Sequence, residues 1–204
     1  TKLRLASMAL ANEKPGDDGS VLIGAFNRTL TTLAAWDALK GWSNASEPCS
    51  IPDCGVTIQR PDCAWEAVSC AQGLVTEVQF RDKPELGFSL TARVGELISL
   101  ETLRLDNLPL LVGWIPPELG GISSLQNIFF SGNHHISGTI PPQLNKLDRL
   151  SELLINDCPR ISGTIDPVFG LPDMERLTLE SNPQLSGTIP DQFASRFYEK
   201  LHLI

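Results

Sequence analysis

The chain has no cluster of lysine and arginine. Its 16 basic residues are scattered among 24 acidic ones, giving a formal net charge of −8 and a pI near 4.8. Without a basic stripe, nucleic acid and anionic membrane are excluded as partners; basic or neutral partners suit the acidic balance. There is no glycine-rich phosphate loop and no zinc-type Cys/His spacing, so no cofactor and no metal are implied. Serine and histidine are present, but nothing in their spacing assembles a triad, and an enzyme is not expected. His134 and His135 are adjacent on a loop, where side chains seldom converge on one ion. The paired acids Glu175 and Glu180 read as solvated. The apolar run Leu3–Ala11 is too short to span a membrane and reads as the end of a processed leader or as an ordered arm.

What fills the chain is repetition. Ile136-Ser137-Gly138-Thr139-Ile140-Pro141 recurs as Ile161-Ser162-Gly163-Thr164-Ile165-Asp166 and Leu185-Ser186-Gly187-Thr188-Ile189-Pro190, with a degenerate copy at Val112–Pro116. Three apolar columns keep the same period of 24 to 25 residues. Leu100, Leu125, Leu150, Met174 and Tyr198 form the first. Leu103, Ile128, Leu153, Leu177 and Leu201 form the second, and Leu105, Phe130, Ile155, Leu179 and Leu203 the third. Val75, Val78 and Phe80 supply a leading coil. The L-x-L pair has period two, so both side chains face one side of a short strand. One coil cannot bury its own leucines; stacked coils bury a continuous column. Three residues after the pair, Asn133 and Asn182 are placed to bridge backbone groups of neighbouring coils. Cys158 takes that position in a third coil and reads as a buried thiol. Leu108 and Lys83 take it elsewhere, and those coils are expected to turn differently. The Ser-Gly-Thr segment itself reads as the turn of the scaffold, glycine giving a bend without a Cβ penalty.

The signature L-x-x-L-x-L-x-x-N joined to L-S-G-x-I-P resembles the plant-type leucine-rich repeat over about residues 74–204. The resemblance implies an α/β solenoid: a right-handed superhelix with short parallel strands on the concave face and a helical, disulfide-bonded N-terminal cap. It departs from the usual pattern by one extra residue before the L-S-G segment (His134-His135, Pro159-Arg160, Pro183-Gln184). Residues 1–19 read as an arm or leader remnant, 20–72 as the cap and 73–204 as repeats whose last coil is truncated. Leu22, Phe26, Leu30 and Leu33 fall at helical spacing behind Ser20 as N-cap. Cys63-Ala64-Trp65-Glu66-Ala67-Val68-Ser69-Cys70 resembles the cap motif C-x-W-x-x-V-x-C, which implies a Cys63–Cys70 bridge and a buried Trp65. Cys49 and Cys54 would then form a second bridge, although four cysteines allow three pairings. Asn27 and Asn44 each begin a glycosylation sequon, consistent with the secretory pathway or with the ectodomain of a membrane protein.

Function in a solenoid sits on the face that the repeat leaves free. The central concave column is Gln79, Arg104, Phe129, Leu154, Thr178 and His202. Glu77, Thr102, Asn127, Glu152 and Arg176 flank it on one side, and Arg81, Asp106, Ser131, Asn156 and Glu180 on the other. Phe129 and Leu154 are expected to stand exposed as an apolar anchor. The resemblance implies a non-catalytic extracellular module that binds a protein, peptide or cell-wall glycan. The other possibility is an accessory subunit of a larger assembly, whose partner covers the truncated C-terminal end. Thr139, Thr164 and Thr188 also align, one per coil; some plant-type repeat proteins bind ice, but that needs a longer flat array.

Overall fold

The computed structural model describes the backbone of residues 26–28 and, with their side chains, residues 67–71, 74–165 and 171–187. In chain order the strands are β1 (Phe26–Arg28), β2 (Val68–Ala71), β3 (Leu74–Arg81), β4 (Phe88–Leu90), β5 (Thr102–Asp106) and β6 (Gly113–Trp114). They continue with β7 (Asn127–Phe129), β8 (Ile136–Thr139), β9 (Glu152–Leu154), β10 (Arg160–Thr164), β11 (Arg176–Thr178) and β12 (Gln184–Ser186). While β4 of the leading coil pairs with β1 in a two-stranded sheet, each coil from β5 onward contributes one strand to each of two further sheets. The first runs β11-β9-β7-β5-β3-β2 and the second β12-β10-β8-β6. All coil-to-coil pairs are parallel.

The three apolar columns lie where their period puts them. Leu100, Leu125, Leu150 and Met174 are buried, as are Leu103, Ile128, Leu153 and Leu177, and Leu105, Phe130 and Ile155. Leu111, Ile136 and Ile161 from the second sheet, with Leu97, Ile122, Leu147 and Leu171 from the opposite wall, complete the core. Phe130 is fully buried, so truncation there would cost roughly 3–5 kcal/mol. Opposite the first sheet, 3-10 turns at Ala92–Glu96, Pro117–Gly121 and Pro142–Lys146 close the coils. Pro117 and Pro142 start two of them, where the missing N–H costs nothing and φ is already set. The stack is tight: a Cβ on Gly120 would collide with the Gln143 carbonyl, whereas one on Gly121 would meet nothing within 4 Å.

In β8 and β10 Ser-Gly-Thr is not a turn, contrary to the sequence reading; it is part of the strand of the second sheet. Gly113, Gly138, Gly163 and Gly187 have φ between +87° and +113°, a region closed to other residues without strain; Gly138 and Gly163 bend β8 and β10 from inside, Gly113 opens β6 and Gly187 follows β12. The serine then has a defined task. Ser137 Oγ donates to Gly113 O at 3.1 Å, Ser162 Oγ to Gly138 O at 3.3 Å and Ser186 Oγ to Gly163 O at 3.4 Å.

The Asn column behaves as expected, and the cysteine joins it. Asn133 Nδ2 donates to Leu105 O at 2.6 Å, and its Oδ1 accepts from Leu108 N at 3.0 Å. Asn182 repeats both bonds one coil pair further on, to Ile155 O (2.5 Å) and from Cys158 N (2.9 Å). Between them Cys158 Sγ donates to Phe130 O at 2.7 Å and accepts from the Asn133 backbone N–H. The thiol thus copies both halves of the asparagine ladder. Burial, ahead of the opposing Asn133 hydrogen bond, pushes its pKa up from 9.0 to about 11, which keeps it a donor at neutral pH. Among the described residues it is the free cysteine.

A pH dependence follows. The folded-state pKa lies above the unfolded one, so the thiol's contribution is complete below pH 9 and is lost as pH rises toward 11. Wild type and Cys158→Asn should have parallel chemical-denaturation stabilities up to about pH 8.5. Above that, wild type should fall relative to the variant; a constant difference through pH 10.5 would contradict this.

Two expectations are corrected here. The coils of Lys83 and Leu108 do not turn differently. The residue before the Asn column has positive φ in every coil: Asp82, Asn107, Gly132, Asp157 and Ser181 all lie between +50° and +70°. Asp, Asn and Gly tolerate this conformation best, so the turn is fixed one residue earlier than the column that looked decisive. The helix expected from Leu22, Phe26, Leu30 and Leu33 does not include Phe26–Arg28. That segment is β1, antiparallel to β4 with Phe26 opposite Leu90, Asn27 opposite Ser89 and Arg28 opposite Phe88. A parallel Ser89–Val112 bridge links β4 to the second sheet, so β1 covers that sheet's first edge. β2 does the same for the first sheet, antiparallel to β3 with a bulge between Ser69 and Cys70. Exposed strand edges invite mispairing, and both leading edges are closed by strands from the N-terminal third. Cys70 is buried and disulfide-bonded. Its partner, like Cys49, Cys54, Cys63, Trp65, the Asn44 sequon and His202, lies outside the described residues.

Candidate functional site on the first sheet

The outward columns of the first sheet are in the register that the repeat predicts. Gln79, Arg104, Phe129, Leu154 and Thr178 are successive strand partners, as are Glu77, Thr102, Asn127, Glu152 and Arg176. Arg81 pairs with Asp106 on the other flank. These rows repeat at the parallel-strand spacing of ~4.8 Å.

Their environments differ from the expectation in one important respect. Phe129 is not an exposed anchor: it is only 5% accessible. The Arg104 guanidinium carbon lies 3.6 Å from its ring centroid, a cation–π contact between adjacent rows of one column. Arg104 in turn pairs with Asp106 through Nη1 and Oδ2 at 3.3 Å. Desolvation and then the neighbouring Arg81 lower the pKa of Arg104, while Asp106 and Glu152 oppose the shift. The Arg104 Nε–H and Thr178 Oγ1 are buried with no hydrogen-bond partner among the described residues. Leu154 is half-buried and remains the accessible apolar group of the column.

Several flank residues are held by the scaffold. Asp106 Oδ1 accepts from Ser131 N at 3.1 Å and Asn156 Oδ1 from Glu180 N at 3.0 Å, so each ties its own coil to the next. Asn127 Nδ2 donates to Thr102 Oγ1 at 3.1 Å, and Gln79 Nε2 to Glu77 Oε2 at 2.8 Å. Arg81 and Arg176 are exposed, and Glu152 and Glu180 are half-buried. The surface is therefore a rigid, mixed-charge plate around Leu154 and the Arg104–Phe129 pair. His134 and His135 are exposed in the turn before β8. Among the described residues no group of three or more His, Cys, Asp or Glu is arranged to hold a metal ion.

The geometry has close counterparts among solved structures. A plant ice-binding protein superposes with a TM-score of 0.70 at 23% identity, over 92% of this chain and 55% of that one. The PEPR1–AtPEP1 complex gives 0.67 at 25% identity, over 91% of this chain and 24% of that one. The leucine-rich-repeat ectodomain of the receptor kinase SOBIR1 from Arabidopsis thaliana gives 0.57 at 26% identity, over 74% and 83%. The fold is a plant-type leucine-rich-repeat solenoid. The chain spans about half the length of the ice-binding protein and about a quarter of the PEPR1 chain. No protein-family model and no curated protein matches the sequence.

In the solenoid frame, the cation–π pair follows from one register fact. Positions 25 residues apart in the central column are neighbours, so Arg104 and Phe129 had to meet. That signal was present in the sequence; a column read residue by residue, without neighbour pairs, misses it.

Proposed function

We propose that this chain is an extracellular, non-catalytic recognition module that binds a peptide or an extended protein segment across the outward face of the first sheet. Its contacts would be Gln79, Arg104, Leu154 and Thr178 in the centre, with Phe129 beneath Arg104. Asn127, Glu152, Arg176, Asp106 and Glu180 would form the polar rim. The observation that carries this reading is the Arg104–Phe129–Leu154 row: a guanidinium held over a ring by Asp106, beside an accessible leucine, on strands fixed by the core. A plate already ordered before binding avoids much of the entropic cost of association. The PEPR1–AtPEP1 complex, a solved structure of the same fold, supports the reading. A Cys63–Cys70 bridge, a Cys49–Cys54 bridge and glycosylation at Asn44 fit the same extracellular setting.

Panning a displayed library of random linear peptides against the chain tests the proposal. Enriched peptides should lose about tenfold or more in affinity for Leu154→Arg, which places a charge in the centre of the plate. The Leu154→Arg melting temperature should stay within about 3 °C of wild type, because the side chain is only half-buried. Peptides that bind Leu154→Arg and Arg104→Ala as tightly as wild type would rule the first sheet out.

A further inference from the structure

Val112 and Trp114, in and beside β6, are 46% and 63% exposed and form an apolar stripe one strand wide. On one side the stripe meets polar residues: Trp114 pairs with Ser137, and Ser137 with the exposed Arg160. On the other side it meets the strand that carries a sequon. Val112 is bridged to Ser89 of β4, and Ser89 pairs with Asn27 of β1. Phe88 and Leu90 are buried, whereas Ser89 between them is half-buried. Strand alternation therefore assigns the Asn27–Ser89–Val112 row to the outer side of the sheet. A Cβ on Gly113 would lie 3.3 Å from the Ser89 Cβ, so β4 and β6 abut here. Nothing bulkier than serine stands in the row between the Asn27 position and Val112, two strand spacings or ~9.6 Å away.

Asn27 begins the sequon Asn27-Arg28-Thr29. A helix would leave its face undetermined; the register of β1 fixes it. We propose that Asn27 carries an N-linked glycan whose first two N-acetylglucosamine rings lie across Ser89 onto Val112 and Trp114. In the attachment step, the Asn27 amide nitrogen bonds to the anomeric carbon of a lipid-pyrophosphate-linked oligosaccharide. The bond from that carbon to the pyrophosphate oxygen breaks, and the amide proton passes to the transferase's base. Once attached, a pyranose ring presents its C–H face to the electron-rich indole face, and its hydroxyls stay in water. Tethering makes the contact intramolecular, so a stacking energy too weak to hold a free sugar suffices. A folded partner or a second copy would need about 800 Å² on each side, more than a stripe one strand wide offers. The glycan covers the second sheet and leaves the plate on the first sheet open.

Secretion of the full chain from a eukaryotic host tests this, with Ser46→Ala in every protein so that the Asn44 sequon is silent. Glycopeptide mass spectrometry should find Asn27 occupied; a secreted chain with Asn27 bare overturns the proposal. Thr29→Ala removes the sequon and keeps Asn27, and should melt about 3 °C below the glycosylated chain. Trp114→Ala should lower the melting temperature similarly when the glycan is present and should have no further effect in Thr29→Ala. The part of the tryptophan emission that Trp114→Phe removes should be shielded from acrylamide in the glycosylated chain and open to it in Thr29→Ala. If Thr29→Ala is not secreted, the glycosylated chain stripped by a glycoamidase reads the same two quantities. Additive melting shifts, or equal quenching with and without the glycan, would overturn the contact.

Discussion

Asn133→Ala is expected to lower the melting temperature by about 10 °C. The side chain is fully buried and holds two backbone groups of the preceding coil, Leu105 C=O and Leu108 N–H. Alanine leaves both without partners inside the solenoid, at about 1–3 kcal/mol for each buried group, and adds a small cavity. The expected total is about 4 kcal/mol, a large fraction of the margin of a folded protein. Cys158 supplies the internal control, since it makes the same pair of contacts with a thiol. Cys158→Asn should therefore be neutral or stabilising, and Cys158→Ala should cost less than Asn133→Ala, because the contacts it removes are weaker. Thermal unfolding of the three variants checks the order; an Asn133→Ala shift below about 3 °C would show that the ladder is dispensable.

Gly120→Ala is the second large effect. The added methyl would overlap the Gln143 carbonyl and lie 2.8 Å from the Gln143 Cβ, and neither can yield without moving the next 3-10 turn. Overpacking of this kind costs about 3 kcal/mol. The adjacent Gly121→Ala meets nothing within 4 Å, and removing a glycine from the unfolded chain stabilises by up to about 1 kcal/mol. Denaturant titrations of the pair should give shifts of opposite sign. Equal shifts would mean that the turns of adjacent coils are not packed as closely as their backbones indicate.

Both variants probe the scaffold, and the scaffold is the part that was legible in the sequence. The period assigned Leu103, Ile128, Leu153 and Leu177 to one buried column and put Gln79, Arg104, Phe129, Leu154 and Thr178 side by side, because a period of 24 to 25 residues fixes the register of every coil at once. Ser-Gly-Thr looks like a turn in the sequence because glycine between two small polar residues suits one; only the neighbouring coils, which pair with it, make it a strand in β8 and β10. The Asp82, Asn107, Gly132, Asp157, Ser181 column escapes a reading by letters for a related reason: five coils hold four residue types there. The column alone leaves Phe129 exposed; its burial follows only when the neighbouring row is weighed with it, because Arg104 lies over the ring. The spacing of Leu22, Phe26, Leu30 and Leu33 points to a helix where β1 lies, because four apolar residues at helical spacing carry no information about a strand edge waiting to be paired.

The most direct test of recognition on the first sheet is a backbone-amide NMR titration of the chain with a peptide selected by panning. Shift changes are predicted to concentrate in β3, β5, β7 and β9, centred on Arg104, Phe129 and Leu154, and to leave β6, β8 and β10 unmoved. Changes confined to the second sheet or to the 3-10 turns, with the Arg104–Leu154 row silent, would contradict it.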